Sequence, residues 1–267
     1  MKYREPFNQT KLFGLDKFIN ELIHLYNLSK LPNKILLSGQ KGLGKSTLAY
    51  HFINFVLSKN EDFSYDISKF EINEENHSYK TILNKSNPNL ISINLNLDSK
   101  TIDINQIREL ISILNKSSFN DKPRFVLIDN IEFLNINSVN ALLKVLEEPS
   151  ENVYFILINN NKKIMPTILS RCINFKIFLT NENNLYVASK LLNEDLNDII
   201  NKDLINYYFT PGNLYNLVNF SKENDYDLEN LNLEELLRLI INNNHYKNDN
   251  LLKFLIFEFI ELYFNQI

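Results

Sequence analysis

The ten residues SGQKGLGKST (38–47) decide the fold. The chain has 5 glycines in 267 residues, and three of them, Gly39, Gly42 and Gly44, fall in this stretch. Gly39 to Ser46 satisfies G-x-x-x-x-G-K-[ST], the phosphate-binding loop. An apolar run, KILLSG (34–39), precedes it and reads as a buried strand; STLAYHFINFVLSK (46–59) follows with helical spacing. Strand, glycine turn, helix is the order such a loop requires. The glycines let the backbone turn with positive φ and approach a ligand. The exposed N–H groups and the positive end of the following helix then form a nest for anionic oxygens. The expected nucleotide contacts are Gly39, Gln40, Lys41, Gly42, Leu43, Gly44, Lys45, Ser46 and Thr47. Within them Lys45 is expected to reach the β- and γ-phosphates of ATP and the Ser46 hydroxyl to ligate Mg²⁺. A glycine turn that merely joins strand to helix would not need Lys45, whose ammonium requires a partner when buried.

The same strand–helix alternation runs outward from the loop. DKFINELIHLYNLSK (16–30) is an amphipathic helix with Phe18, Leu22, Leu25 and Leu28 on one face. NLISINL (89–95), RFVLID (124–129), NVYFILIN (152–159) and INFKIFL (173–179) read as strands. INQIRELISILNKS (104–117), SVNALLKVLEEPS (138–150) and MPTILSRC (165–172) read as helices. Residues 60–88 are polar and irregular and are expected to hold loop and a short helix. The pattern predicts an α/β fold: a parallel sheet with helices on both faces. After about residue 180 the strands stop. A small helical domain is expected over 180–225, and a short C-terminal helical segment over 226–267 ends in LLKFLIFEFIELYF (251–264). That last helix has a wide apolar face, which demands burial, either in the chain's own core or against another subunit.

Composition limits the functions available. The hydrophobic fraction of 44% and charged fraction of 22% are those of an ordinary globular protein. A net charge of -4 argues against holding nucleic acid by bulk electrostatics. The single cysteine, Cys172, excludes an intramolecular disulfide and a four-thiolate zinc site. No signal peptide or span long enough for a bilayer is visible, so a cytoplasmic location with no membrane association is expected.

A phosphate loop needs a carboxylate on a neighbouring strand to hold the metal. Asp129 ends the apolar run FVLID at the strand's C-terminal edge, where ligands bind in open α/β sheets. A role as a simple turn cap is the alternative. Asn130 follows, and an amide cannot accept a proton as a general base. Glu132, two residues on, would point elsewhere if the strand continued.

Read together, TKLFGLDKFINELI, TIDINQIRELISIL, FVLIDNIEFLNINSVNALLKVLEEP and ILSRC resemble the AAA+ subunits of bacterial clamp loaders, most closely the delta-prime type of DNA polymerase III. The resemblance spans roughly residues 5–220. It implies an AAA+ domain over 1–179 in a hetero-pentamer with gamma/tau and delta subunits, which loads a sliding clamp on primed DNA. It makes Arg171, in SRC, an arginine finger given in trans to a neighbour's ATP; pairing with a local carboxylate is the alternative. It puts the sensor 1 residue at Asn159, with Asn160 as the register alternative, and it suggests Gln106 and Arg108 as DNA contacts.

Three departures from the family pattern stand out. Asn130 occupies the place of the catalytic acid. Tyr215, in PGNLYNL (211–217), occupies that of the sensor 2 arginine. Residues 60–88 lack the cysteines of the zinc module that many relatives carry. The resemblance therefore implies a subunit with weak or absent ATPase and no zinc. The alternatives are a hydrolysing gamma/tau-like motor, or a P-loop enzyme acting alone, which would leave SRC and NALLKVLEEP unexplained.

Overall fold

The computed structural model describes residues 5–95, 99–205 and 209–247, and positions 256, 257, 260 and 264. The described chain divides into two compact units, one up to Phe178 and the other from Leu179 onward.

The first unit is built on five parallel strands: β1 (Lys34–Ser38), β2 (Leu90–Ile93), β3 (Arg124–Ile128), β4 (Val153–Asn159) and β5 (Ile173–Lys176), in the order β2-β3-β4-β1-β5. Each crossover carries a helix: α1 (Asp16–Asn27) enters β1, then α2 (Lys45–Leu57), α3 (His77–Leu83), α4 (Ile104–Leu114), α5 (Ile136–Glu147) and α6 (Pro166–Leu169). The central strands are apolar on both sides because both sides are covered, as parallel sheets require. Leu36, Val126, Ile128, Phe155 and Leu157 pack with Ile107, Leu110, Leu142 and Leu146 of α4 and α5. The alternate residues Ile35, Leu37, Leu127, Ile156 and Ile158 are equally buried. On that side Phe125 meets Phe52 of α2 edge-on, with ring centroids 6.1 Å apart. The register Leu37↔Ile158 and Ile128↔Leu157 brings the C-terminal ends of β1, β3 and β4 side by side. The loops that follow those ends are thereby gathered at one edge.

Two polar side chains do structural work that the sequence hides. Arg124 opens β3 nearly buried, and its guanidinium donates to the carbonyls of Ile113 (3.4 Å), Leu114 (3.1 Å) and Lys116 (3.2 Å). It caps the end of α4, where unpaired carbonyls concentrate negative potential. Gln106 closes the other end of α4 in a capping box. Its Oε1 accepts from the Asp103 N–H at 3.1 Å, and its Nε2 donates to the Asn94 carbonyl at 3.1 Å. That amide is engaged in holding the helix; Arg108, two residues on, is exposed.

Residues 60–88 fold as α3 and its flanking turns. Asn76 caps α3, its Oδ1 accepting from the Tyr79 N–H (2.7 Å) and from Asn54 Nδ2 (3.1 Å). Glu61 accepts from the Ser78 hydroxyl (2.5 Å) and from Lys122 (3.2 Å).

The described residues of the second unit form helices joined by turns, with no strand among them: α7 (Asn181–Leu192), α8 (Lys202–Ile205), α9 (Pro211–Glu223) and α10 (Leu233–Asn242). Ala188, Leu196, Leu204, Leu214, Leu217 and Phe220 form one core with Leu233, Leu236 and Ile240 of α10. The sequence sets 226–267 apart as a third segment, yet α10 shares the core of α7 and α9. Most of 251–264 lies outside the described residues. Within it Ile256 is buried on this core and Ile260 packs against it, while Phe257 is exposed. Among the described residues no helix is long and apolar enough to cross a membrane.

Candidate functional site

The glycine loop bridges β1 and α2 at the C-terminal edge of the sheet. Gly39 leaves β1 at φ 156°, and its N–H donates to the Asn159 carbonyl at the end of β4 (3.3 Å). A Cβ at Gly39 would lie 2.4 Å from the Ile177 carbonyl oxygen, so only glycine allows the segment after β5 to pass this close. Gly44 forms the N-cap of α2 in a left-handed conformation, φ 83°. Leu43 is buried, so what it offers a ligand is backbone alone; Gln40 and Lys41 are exposed.

Lys45 is 3% exposed. Its ammonium donates to the loop's own carbonyls, those of Gly39 (2.9 Å) and Gln40 (2.6 Å). Burial pushes the ammonium down to about 8, against the upward pull of Asp129 and Glu132. This cation sits beside the N-terminus of α2, whose unpaired N–H groups are suited to an anion. The Ser46 hydroxyl donates to Asp129 Oδ2 at 2.5 Å. Asp129 is half-buried as a residue, but its carboxyl group is surrounded by protein on most sides. Burial raises that carboxyl above its usual range; hydrogen bonds from Ser46 and the Asn130 N–H and the charge of Lys45 work in the opposite direction. Two oxygen donors converging on one point beside a buried ammonium fit a hard cation carrying polyphosphate oxygens. The loop, Ser46 and Asp129 are therefore a donor set suited to a magnesium nucleotide; Thr47 is half-buried in the first turn of α2.

β3 ends at Ile128, and the chain does not continue as a strand. Asn130 takes a left-handed conformation, φ 60°, and a short 3-10 turn follows over Ile131–Phe133. Glu132 is thereby swung to the sheet edge, not away from it, because the alternation of a strand no longer applies. Its Oε1 accepts from Asn160 Nδ2 (3.1 Å) and its Oε2 from the Asn160 N–H (3.4 Å). This is the site residue that sequence reasoning missed. The available signal was Asn130 itself, since asparagine enters the left-handed region more readily than other non-glycine residues.

The two candidate sensor amides behave differently. Asn159 Nδ2 donates to the Lys162 carbonyl (2.9 Å) and its Oδ1 accepts from the Lys162 N–H (3.2 Å), which caps the turn after β4. Asn160 faces the end of β3, donating to Asn130 Oδ1 (2.8 Å) as well as to Glu132.

Arg171 lies elsewhere. It follows α6 and directly precedes β5, so it sits at the N-terminal edge of the sheet. In a parallel sheet that is the edge opposite the glycine loop, a strand of five residues or about 15 Å away. Its guanidinium donates to the Thr167 carbonyl (3.0 Å) and to Glu147 Oε1 at the end of α5 (2.5 Å). Tyr215 is half-buried on α9 of the second unit.

The model of the family described as DNA polymerase III, delta subunit, matches residues 14–180. The DNA polymerase III subunit delta' of Buchnera aphidicola subsp. Baizongia pistaciae is 28% identical over 191 residues, covering 69% of this chain and 55% of that one. The DNA polymerase III subunit gamma/tau of Mycoplasma genitalium is 31% identical over 205 residues, covering 76% of this chain and 32% of that one. The chain thus spans about half the matched delta' protein and a third of the gamma/tau protein. Among solved structures, the Thermotoga maritima RuvB Holliday junction branch migration motor shares the fold, with a TM-score of 0.50 at 16% identity over 89% of this chain and 80% of that one. From its P-loop sheet and a family match over more than half its length, the chain belongs to the DNA polymerase III delta-subunit family of AAA+ clamp-loader proteins.

Proposed function

We propose that this chain is a delta-prime-like clamp-loader subunit that lends Arg171 to the ATP site of an adjoining subunit and turns over little ATP itself. The observation that carries the reading is the position of Arg171 at the sheet edge opposite its own glycine loop. A guanidinium there is out of reach of the chain's own phosphate site, and it can stabilise charge on a transferring phosphoryl group only if that group belongs to another protomer. Its own loop, with Lys45, Ser46 and Asp129, is read as holding a magnesium nucleotide. When bound, the metal would neutralise charge on the β- and γ-oxygens. Turnover is limited because Asn130 presents an amide, and its two polar ends are engaged with Asn94 and Asn160. The partners on this reading are gamma/tau and delta subunits, with the sliding clamp and primed DNA reached through the assembly in the cytoplasm.

The experiment measures ATPase of the purified chain alone, then of the reconstituted complex with wild-type or Arg171→Ala subunit. The expected result is negligible turnover alone and a loss of about 10³-fold or more at the neighbouring site with the variant, at unchanged complex composition. A fully active Arg171→Ala complex overturns the trans role. A second reading, a hydrolysing motor, is favoured by the 31% identity to a gamma/tau protein, and substantial turnover by the isolated chain would establish it.

A further inference from the structure

A chain of amides and one carboxylate ties together the C-terminal ends of three strands beside the glycine loop. Asn94, just past β2, accepts from Asn130 Nδ2 at 3.0 Å. Asn130, just past β3, accepts from Asn160 Nδ2 at 2.8 Å. Asn160, just past β4, gives its second amide hydrogen to Glu132 Oε1 and its backbone N–H to Glu132 Oε2. The residue before it, Asn159, takes the N–H of Gly39, so this ladder abuts the first glycine of the loop.

The ladder bears unequally on the donors a polyphosphate would meet. The loop N–H groups belong to the glycine turn itself, whereas the Asn160 donors belong to the ladder. On the reading that Asn160 is the amide facing a γ-phosphate, its two side-chain amide hydrogens are already occupied within the protein. The carboxylate that takes one of them, together with the Asn160 backbone N–H, adds a negative charge, and its field reaches both Lys45 and Asp129. A terminal phosphate arriving there would meet no donor from Asn160 and would be repelled by Glu132.

We infer that Glu132 is a specificity-determining residue that sets this loop against the γ-phosphate, so that the site holds nucleoside diphosphate at least as tightly as triphosphate. The inference rests on the reading that the loop binds nucleotide at all. Glu132→Gln keeps an oxygen for Asn160 and removes the charge; Glu132→Ala also releases an amide hydrogen of Asn160.

Equilibrium binding of fluorescent ADP and of a fluorescent, non-hydrolysable ATP analogue tests it, on the full chain at constant magnesium, with thermal melts to confirm folding. Wild type is expected to bind ADP as tightly as the analogue or more so. Glu132→Gln is expected to move the affinity ratio toward the analogue by about tenfold, and Glu132→Ala by at least as much. A wild type that prefers the analogue tenfold, or a ratio that Glu132→Gln leaves unmoved, overturns the inference while the nucleotide reading stands. If wild type binds neither nucleotide at millimolar concentration, both fall together.

Discussion

Arg171 and Glu147 form an ion pair, Nη2 to Oε1 at 2.5 Å, joining the start of β5 to the end of α5. Both side chains reach solvent, the arginine 31% and the glutamate 54% exposed. The pair holds the guanidinium in place at the face of the sheet edge without burying it.

An exposed pair of this kind contributes little to stability. A double-mutant cycle over Arg171→Ala and Glu147→Ala, read by urea denaturation, should therefore give a coupling of about 0.2–1 kcal/mol. Arg171→Ala should remain folded, so any loss of activity in the complex reflects missing chemistry. A coupling of several kcal/mol would make Arg171 a structural residue instead.

Gly39→Ala should damage both the loop and the fold. The new Cβ would meet the Ile177 carbonyl oxygen at 2.4 Å, and a backbone atom cannot rotate out of the way. A destabilisation of about 1–3 kcal/mol is expected from the forced shift, together with lost nucleotide binding. Normal binding and an unchanged melting temperature in this variant would contradict the close approach described above.

Nucleotide affinity should fall as pH rises through about 8. Lys45 is buried, and burial holds its ammonium near that value. Above it the side chain becomes neutral and the anion site loses its charge. Titrations at pH 7 and pH 9.5 should differ for wild type, while Lys45→Met should bind weakly at both. A wild-type affinity that is flat across this range would show that Lys45 stays charged.

His51 should make the fold acid-sensitive. It is fully buried; one ring nitrogen meets the Gln9 carbonyl at 2.9 Å and the other the Tyr65 hydroxyl at 3.0 Å. Burial pushes it down to about 4, against the hydrogen bond to Gln9, from an ordinary value of 6.5. Between these values the unfolded chain binds more protons than the native one, so stability rises with pH there and is lost as pH falls from 6.5 to 4. Roughly 3 kcal/mol is at stake. Urea midpoints measured from pH 7 to pH 4.5 should fall for wild type and fall less for His51→Gln.

Much of the first unit was legible in the sequence because each strand is short, apolar and bounded by polar turns. FVLI, for example, marks the interior of β3 without ambiguity, and the alternation of such runs with helical spacing requires parallel pairing. Arg124 was not legible as a helix cap: the carbonyls it meets belong to α4, and only the packing of α4 against β3 brings them into range. The capping role of Gln106 was likewise hidden, since its bond to the Asn94 carbonyl depends on the end of β2 lying beside the start of α4.

The sequence by itself determined the phosphate loop, because glycine spacing, Lys45 and Ser46 act within one contiguous turn whose geometry is local. It also determined the class of sheet, since burial on both faces writes itself into runs of apolar residues. Tertiary structure alone decided what surrounds the loop. The left-handed Asn130 ends β3 and turns Glu132 onto Asn160, and the parallel order of the strands sends Arg171 to the far edge. Both outcomes depend on which strand ends lie side by side, and that is a property of long-range pairing which no single segment carries.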